Sequence, residues 1–475
     1  MSRAFRYFPV FTLLILCAPA EATAPAASGV IDVSHCGDSG PGSLRNAVAA
    51  ASTGDVINLN TVFNCSRIVL TSGEIVVTQS QLTIQGPGPS FTIDAGKRSR
   101  IFNHPSSQGT LNLSGLTLTN GFVQLNDASA AKGGCIYSGG TVRLVNVTVA
   151  VCEANNLAIA SQGAFGGAIF AGYVAVTDSV VRNSRAYAAS GSAYGGGIYA
   201  SSFLTFDGGS VSGNLAQGTY VQEGPSNGSS YGGGVYAGRG LFAAAATFDA
   251  NVASGHFGSG GGLYVVSDAQ IERSTISNNQ ADLGGGAVLG GPLATTDISI
   301  DNSTISSNRA SADAGLFIHD RAGRIRNSTI ADNACPQTEA CKGIGLVVSN
   351  AAVDLQSTLI VRNSTSDGLV WRDVGAENGG VLTGANNLIN STAGVPLPGD
   401  TLTGNPDLGE LADNGGLTKT QRLGRQSAAL DRGNVASGRT TDQRGYGHAR
   451  IVGAGPDIGA FELEPERIFA NGFEN

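Results

Sequence analysis

The sequence predicts an all-β fold in which short strands stack into a parallel β-solenoid. A glycine-led cassette recurs about every 30 residues, and a serine-led element such as Ser274–Asn279 recurs between the cassettes. No repeat shows the 3.6-residue period of a helical array, so two short strands per repeat are indicated. The cassettes are Gly133–Tyr137, Gly166–Phe170, Gly195–Tyr199, Gly232–Tyr236, Gly260–Tyr264 and Gly284–Val288, with weaker copies at Ala314–Phe317 and Gly343–Val347.

Composition narrows the classes of protein. Of the 475 residues, 41% are hydrophobic, 6% are aromatic and 13% are charged, about half the usual charged share. A core of large rings is therefore not expected, and stacked aliphatic side chains fill a solenoid without one. The net charge of −8 argues against nucleic acid or an anionic membrane as a partner.

The first residues resemble an export signal. Arg3 and Arg6 precede the apolar run Val10–Leu16, and small residues suitable for cleavage lie at 18–22. The residue before Cys17 is bulky, which argues against a lipoprotein site. We expect a signal peptide over 1–22, no transmembrane segment after its removal, and a secreted or outer cell-surface location.

Six cysteines remain after the leader, an even number that suits an oxidising compartment. The histidines are scattered and no Cys-x-x-Cys spacing occurs, so zinc is disfavoured. Neighbours along the chain predict three disulfides: Cys36 with Cys65, Cys135 with Cys152, and Cys335 with Cys341.

Both ends of the chain resemble a known family. Asp38–Ala47 is similar to the opening of bacterial exported β-helix proteins of the pectin-lyase-like superfamily, and it contains a short helix at Leu44–Ala51. The later motifs resemble the choice-of-anchor Q domain, and they are Gly404–Gly409, Asp413–Thr420, Ser427–Gly433, Thr441–Gly445 and Pro456–Glu462. Gly166–Ile169 is similar to repeats of polymorphic outer-membrane proteins, although no translocator barrel follows it.

This resemblance implies a right-handed parallel β-helix with an N-terminal helical cap, from a Gram-negative bacterium. It implies no activity common to the family. The expected organisation is a signal peptide (1–22), cap and first coils (30–100), β-helix repeats (101–395), a choice-of-anchor Q-like region (396–463) and a tail (464–475). The tail, which contains Phe469 and Phe473, is interpreted either as a docking or recognition segment or as an ordinary frayed terminus.

Two phased columns accompany the repeats. We interpret the asparagines as a structural ladder of stacked amides, comprising Asn183, Asn214, Asn251, Asn279, Asn308, Asn333 and Asn363. The aromatic column favours a stacking ladder over exposed sugar-binding rings, although alternation does not tell which face the rings take. Its members are Tyr137, Phe170, Tyr199, Tyr236, Tyr264 and Phe317.

A candidate catalytic cluster is the densest group of ionisable residues in the repeats: Asp313, His319, Asp320, Arg321 and Arg324. Hydrolysis of a glycosidic bond needs two flanking carboxylates, whereas polar loops across a solenoid also carry such charges. We expect a non-catalytic surface protein that contacts glycans or surface proteins, with no cofactor and no metal. The alternative is a polysaccharide-active lyase, hydrolase or epimerase.

Overall fold

A computed structural model describes residues 28–465 except 63, 159–161, 220–227, 292–296, 337–340 and 435–437. The chain is a parallel β-solenoid of about 12 turns, here called coils, and about 2% of it is helical. This confirms the all-β solenoid. The expected signal peptide and the Phe469–Phe473 tail lie outside the described residues.

The largest sheet has 23 strands and forms two adjoining faces. The first face contains Val30–Asp32, Val56–Asn58, Gln81–Gln85, Thr110–Thr119, Thr141–Ala150, Tyr173–Thr177, Phe203–Asp207, Gly240–Ala244, Asp268–Glu272, Ile298–Asp301, Gly323–Arg326, Ala352–Gln356 and Val381–Ala385. The second face continues from Thr110–Thr119 and Thr141–Ala150, and its separate strands are Arg67–Val69, Thr92–Asp94, Val180–Arg182, Ser210–Ser212, Thr247–Asp249, Thr275–Ser277, Thr304–Ser306, Thr329–Ala331, Leu359–Val361 and Leu388–Ile389.

Two further sheets complete each coil. The 11-stranded cassette sheet holds Ile75–Val76, Phe102–His104, Ile136–Ser138, Ile169–Ala171, Ile198–Ala200, Val235–Ala237, Leu263–Val265, Ala287–Gly290, Leu316–His319, Leu346–Ser349 and Val374–Glu377. The 14-stranded sheet, called the wing, holds Phe122–Leu125, Ala131–Lys132, Glu153–Asn156, Ala164–Phe165, Arg185–Ala188, Ala193–Tyr194, Leu215–Gly218, Ser230–Tyr231, Val252–Gly255, Gly258–Ser259, Gln280–Leu283, Arg309–Ala312, Ala334–Cys335 and Ser364–Thr365.

The wing differs from the other sheets in how it packs. In several coils the chain runs out along one strand and back along another, so the wing has two layers. Small buried side chains, among them Ala154, Ala186 and Ala193, lie together in a separate cluster. Because alanine is short, the two layers approach closely.

The serine-led element explains one corner of each coil. In Ser274–Asn279, Ile276 points into the core, whereas Asn278 takes a left-handed backbone conformation (φ 55°). The Ser274 side chain accepts a hydrogen bond from the backbone N of Ala246 in the preceding coil (3.1 Å). The serine-led element therefore specifies a strand, a turn and a hydrogen bond between adjoining coils.

The glycine cassette forms the next corner. Gly195 has φ 61°, and a Cβ at Gly196 would lie 2.2 Å from the carbonyl oxygen of Gly233. Only glycine allows the chain to turn this tightly between coils. After the turn, Ile198 is fully buried and Tyr199 faces outwards.

The N-terminal motif is held together by an ion pair. Arg45 Nη2 donates to Asp38 Oδ1 (2.8 Å) and also to the carbonyl of Gly73 in the next coil (2.6 Å). Ser43 caps the helix Leu44–Ala50 by accepting from the backbone N of Asn46 (3.2 Å). The motif thus ties the helix to the first coils.

Three disulfides join Cys36 to Cys65, Cys135 to Cys152 and Cys335 to Cys341. These are the pairs expected from the sequence. The first links segments 29 residues apart in sequence, about one coil, and the last closes a short loop.

The C-terminal segment, residues 396–465, folds back along the second face. Its strands Leu408–Ala412 and Thr420–Leu423 form an antiparallel hairpin. Thr275 Oγ1 donates to the carbonyl of Lys419 (2.6 Å), and Ala460 N donates to Thr329 Oγ1 (3.0 Å). The outward side chains of four successive coils are buried beneath it, namely Thr275, Thr304, Thr329 and Leu359.

Charged groups buried inside this segment account for two of the family-like motifs. Arg444 Nη2 pairs with Asp442 Oδ2 at 2.7 Å. The Glu462 carboxylate accepts from the backbone N of Asp457 (2.8 Å), and Arg450 donates to the carbonyl of Asp457. Burial raises the pKa of Glu462 to about 7. The motifs therefore build the interior of the segment.

Candidate functional site

The phased asparagines form a continuous buried ladder. Nδ2 and the backbone N of Asn279 both donate to Oδ1 of Asn308 (3.0 Å each), and Nδ2 also donates to the carbonyl of Phe248 (2.9 Å). The same pattern links Asn214, Asn251, Asn279, Asn308, Asn333 and Asn363. Hydrogen bonds to neighbouring coils thus satisfy the buried polar atoms of these amides.

Asn183 is a correction to the expected ladder. In its coil the ladder position belongs to Ser184, whose backbone N donates to Asn214 Oδ1 (3.0 Å). Asn183 instead has φ 52° and lies one residue earlier, in the column of left-handed turn residues. Asparagine suits both positions, since it tolerates this conformation better than most residues, so spacing alone does not distinguish them.

The cassette tyrosines and phenylalanine form a ladder of stacked rings on the outside of the cassette sheet. Centroid distances from Tyr137 through Phe170, Tyr199 and Tyr236 to Tyr264 are 5.4, 5.0, 5.0 and 5.6 Å, with interplanar angles of 14° or less. This is close to the spacing between strands. The rings are half-buried and point away from the core.

Phe317 is not a rung of this stack. Val288 occupies the position between Tyr264 and Phe317, and the Phe317 ring lies 5.4 Å from that of His319 instead.

A second ring column, missed at the sequence level, lies on the wing. Phe165, Tyr194 and Tyr231 stack at 4.8 and 5.1 Å, and Tyr194 meets Tyr236 edge to face at 5.3 Å. The two columns interlock in the corner between wing and cassette sheet. Stacked neighbours cover the ring faces, so interior rungs do not offer a platform to a sugar.

The candidate catalytic cluster is divided between two ends of a strand. Asp313 precedes Leu316–His319 and Asp320 follows it, and four residues of strand span about 13 Å. His319 Nδ1 contacts Asp320 Oδ2 at 2.9 Å, while Arg324 pairs with Asp297 at 3.4 Å. Arg321 Nε donates to the carbonyl of Gly291 (3.3 Å).

Asp313 is a turn residue. It has φ 56° and stands where Gly284, also left-handed at φ 60°, stands in the preceding cassette. Oδ1 accepts from the backbone N atoms of Lys342 (3.2 Å) and Gly343 (3.5 Å). Burial raises the pKa of Asp313 to about 7, and the nearby Glu377 carboxylate adds to the rise. The perturbed pKa therefore follows from a structural position.

The structure brings together a different set of residues, in a groove of about 620 Å³ along the corner between the second face and the wing. Left-handed turn residues of four successive coils form its floor, namely Asn278, Ser307, Asp332 and Arg362. The C-terminal hairpin forms one wall with Glu410, Leu411 and Lys419, and the wing side contributes Asn333, Ala334, Ser364 and Trp371. We call this the corner groove.

A fixed ion pair closes one part of the corner groove. Arg362 Nη2 donates to Asp332 Oδ2 (2.5 Å), which also accepts from Gln421 Nε2 of the hairpin (2.6 Å). Arg362 additionally donates to the carbonyls of Leu408 and Gly409. Arg362 thereby holds the hairpin wall against the solenoid.

Trp371 supplies the exposed aromatic surface of the corner groove. It pairs with Ser364 across a short reverse turn, and Thr365 N donates to the carbonyl of Val370 (2.8 Å). About half of Trp371 is exposed (51%). This is the sole tryptophan of the sequence, a signal that sequence reasoning overlooked.

Within the described ranges no group of three or more His, Cys, Asp or Glu residues is placed to hold a metal ion. Nor does any helix in the described part of the chain have the length and apolarity to cross a membrane.

No family model and no curated protein matches the chain. Among solved structures, the crystal structure of the pectate lyase Pel9A aligns with 92% of this chain and 98% of that chain, at 13% identity and a TM-score of 0.36. A likeness at this level is no basis for assigning an activity.

Proposed function

We propose that this protein is an exported, non-catalytic right-handed β-helix that contacts extracellular carbohydrate or protein at a cell surface, with the corner groove as its binding site. The observation that carries the proposal is the exposed Trp371 ring beside an open, polar groove. Sugars present apolar ring faces and hydroxyl groups, which such a surface can stack and hydrogen-bond.

The charges of the corner groove favour a neutral glycan. Asp332 and Glu410 are balanced by Arg362 and Lys419, so the lining carries no formal net charge. Asn278 donates through Nδ2 to Asp249 (2.8 Å), while its Oδ1 remains a further acceptor site. The groove floor spans four coils along the solenoid axis, so an extended glycan chain lying in that direction would contact all four.

Export and origin rest on the sequence. The leader-like residues 1–22 and the resemblance to choice-of-anchor Q proteins support secretion by a Gram-negative bacterium. Three disulfides are compatible with an oxidising compartment. The helix Leu44–Ala50, with Leu44 and Val48 buried, supports the proposed helical cap.

A polysaccharide-active enzyme is the second candidate, because two carboxylates, Asp332 and Glu410, line one groove. Glycosidic hydrolysis uses such a pair. However, Oδ2 of Asp332 already accepts hydrogen bonds from Arg362 and Gln421, so this oxygen is engaged in holding the hairpin rather than open to a substrate. Binding without turnover is therefore the better-supported function.

The test is a panel of neutral and uronate polysaccharides assayed for both retention and cleavage. We expect retention of a neutral polysaccharide and weakening by about tenfold in Trp371→Ala, equivalent to about 1.4 kcal/mol. Tyr446→Ala is the matched control, because Tyr446 is fully exposed (102%) and lies outside the groove lining. Unchanged binding in Trp371→Ala would remove the site, and cleavage lost in Glu410→Gln would establish the enzyme instead.

A further inference from the structure

Five tyrosines converge in the corner between the wing and the cassette sheet, and we call them the tyrosine cluster. Tyr199, Tyr236 and Tyr264 belong to the cassette ladder, and Tyr194 and Tyr231 to the wing. Ring centroids lie 5.0 Å apart for Tyr199–Tyr236, 5.6 Å for Tyr236–Tyr264 and 5.3 Å for Tyr194–Tyr236. Tyr231 lies 5.1 Å from both Tyr194 and Tyr264.

We propose that the tyrosine cluster is a site of oxidative phenol coupling, at which a haem peroxidase with hydrogen peroxide joins tyrosines of neighbouring coils. Each of two phenols loses one electron and its hydroxyl proton. The two radicals form a carbon–carbon bond between ring positions next to the hydroxyls, and two ring protons then return to the oxygens. Hydrogen peroxide accepts the two electrons and two protons and becomes two molecules of water.

Proximity is the physical reason for coupling here. Parallel strands in register hold the rings at about the strand spacing, so a radical on one phenol has a partner without a diffusive encounter. The rings are half-buried rather than enclosed, so part of each side chain is accessible to an oxidant. Coupling of Tyr194 with Tyr236, or of Tyr231 with Tyr264, would join the wing covalently to the cassette sheet.

The tyrosines of the cluster lie close enough together to affect the pKa of Tyr236. Burial raises the pKa of Tyr236, and the neighbouring tyrosines Tyr199, Tyr264, Tyr194 and Tyr231 raise it further. The Tyr236 phenol is therefore neutral at ordinary pH, and its oxidation must release a proton with the electron.

Tyr137 is an internal control for the proposed coupling. Tyr137 stacks on Phe170 at 5.4 Å, and Phe170 stacks on Tyr199 at 5.0 Å. Phenylalanine has no hydroxyl and is not oxidised in this way, so Phe170 separates Tyr137 from the tyrosine cluster. Tyr137 should remain uncoupled even though its ring is part of the same ladder.

The experiment treats the dilute purified protein with a haem peroxidase and hydrogen peroxide, then maps cross-linked peptides whose mass is lower by two hydrogens. We expect links within one chain among the five cluster tyrosines. Tyr236→Phe should lose the three links made by Tyr236 and retain Tyr194–Tyr231 and Tyr231–Tyr264. Phe170→Tyr should bring Tyr137 into the cross-linked set.

Folding of these variants is not at issue, because phenylalanine already occupies rungs at Phe165 and Phe170. The proposal is overturned if the products are mainly intermolecular dimers through the exposed Tyr446. It is equally overturned if Tyr137 stays unlinked in Phe170→Tyr, or if Tyr236→Phe leaves the peptide map unchanged.

Discussion

Asn363 donates two hydrogen bonds to a single oxygen of Asp373, from its backbone N at 3.0 Å and from Nδ2 at 2.9 Å. Asp373 comes only ten residues later in the sequence, yet it takes the place of the next asparagine. A carboxylate accepts but cannot pass a hydrogen bond onward. The amide ladder therefore ends at Asp373 because of its chemistry.

Replacement of a middle rung should destabilise the protein. In Asn308→Ala, the backbone N and Nδ2 of Asn279 lose their acceptor, and Asn333 Oδ1 loses one of its two donors from residue 308. Buried groups left unpaired cost about 1–3 kcal/mol in the free energy of unfolding. Urea unfolding measures the loss, and glycan retention at saturating protein should not change.

Asn183→Gly is the control for this prediction. The next coil already has Gly213 in the equivalent left-handed turn position (φ 62°), so glycine fits there. We expect little change in unfolding free energy. A loss as large as that of Asn308→Ala would return Asn183 to the ladder.

Asp313→Asn should stabilise the protein above pH 7. Wild-type Asp313 has a pKa of about 7 when folded, against 3.8 for the exposed group. Between these values the unfolded chain is ionised while the folded chain remains protonated, so stability declines as pH rises from about 4 to 7 and then levels off. Asparagine keeps the acceptor oxygen and carries no charge.

The measurement for Asp313→Asn is the free energy of unfolding in urea at pH 4 and pH 8. We expect the variant to exceed wild type at pH 8 by about 2–4 kcal/mol and to be close to it at acidic pH. Parallel pH profiles for the two proteins would contradict the burial argument.

Leu359→Ala should loosen the C-terminal segment. Leu359 is fully buried in a cluster with Leu408, Leu423 and Phe461 of that segment, and such a truncation costs about 2–4 kcal/mol. Hydrogen exchange should increase over 396–465 and not over the upstream coils.

Val180→Ala is its matched control, since Val180 occupies the equivalent outward position on the second face and is only half-buried. Its effect should stay below about 1 kcal/mol. Equal effects at the two positions would mean that the segment adds no packing energy.

Removing Cys36–Cys65 should cost more than removing Cys335–Cys341. The bonds span separations of 29 and 6 residues, and loop-closure entropy predicts about 3–4 and about 2–3 kcal/mol, respectively. Paired Cys→Ala variants unfolded in urea provide the comparison. A reversed order would show that local strain or residual structure outweighs chain entropy.

The repeats were predictable because each coil carries the same chemical requirements. The carbonyl of Gly233 leaves no room for a side chain at Gly196, and Asn279 needs Asn308 as its hydrogen-bond acceptor. Such requirements recur with the period and leave a visible pattern. The cysteine pairs were predictable for a related reason, since neighbours in sequence lie in the same or adjoining coils.

The groove and the docked segment were not predictable, because their residues have no common period. Lys419 reaches Thr275 from 144 positions away, and Trp371 lies beyond the last repeat of the cassette. One signal was present at the sequence level. Outward positions that are polar upstream, such as Ser212, become apolar at Ala331 and Val361, where the segment covers them.

The docked C-terminal segment divides the solenoid into two regions that differ in how well they tolerate a change in the number of coils. Its hydrogen bonds reach coils from Glu272 to Asn386. Loss of one whole coil from that region would move the later strands by about 4.8 Å, one strand spacing, relative to their partners in the segment. If a whole coil were lost between Ser184 and Asn251, each remaining ladder residue would still lie next to an equivalent residue of the adjoining coil. Natural or engineered changes in length should therefore be tolerated upstream of Glu272 and disfavoured after it.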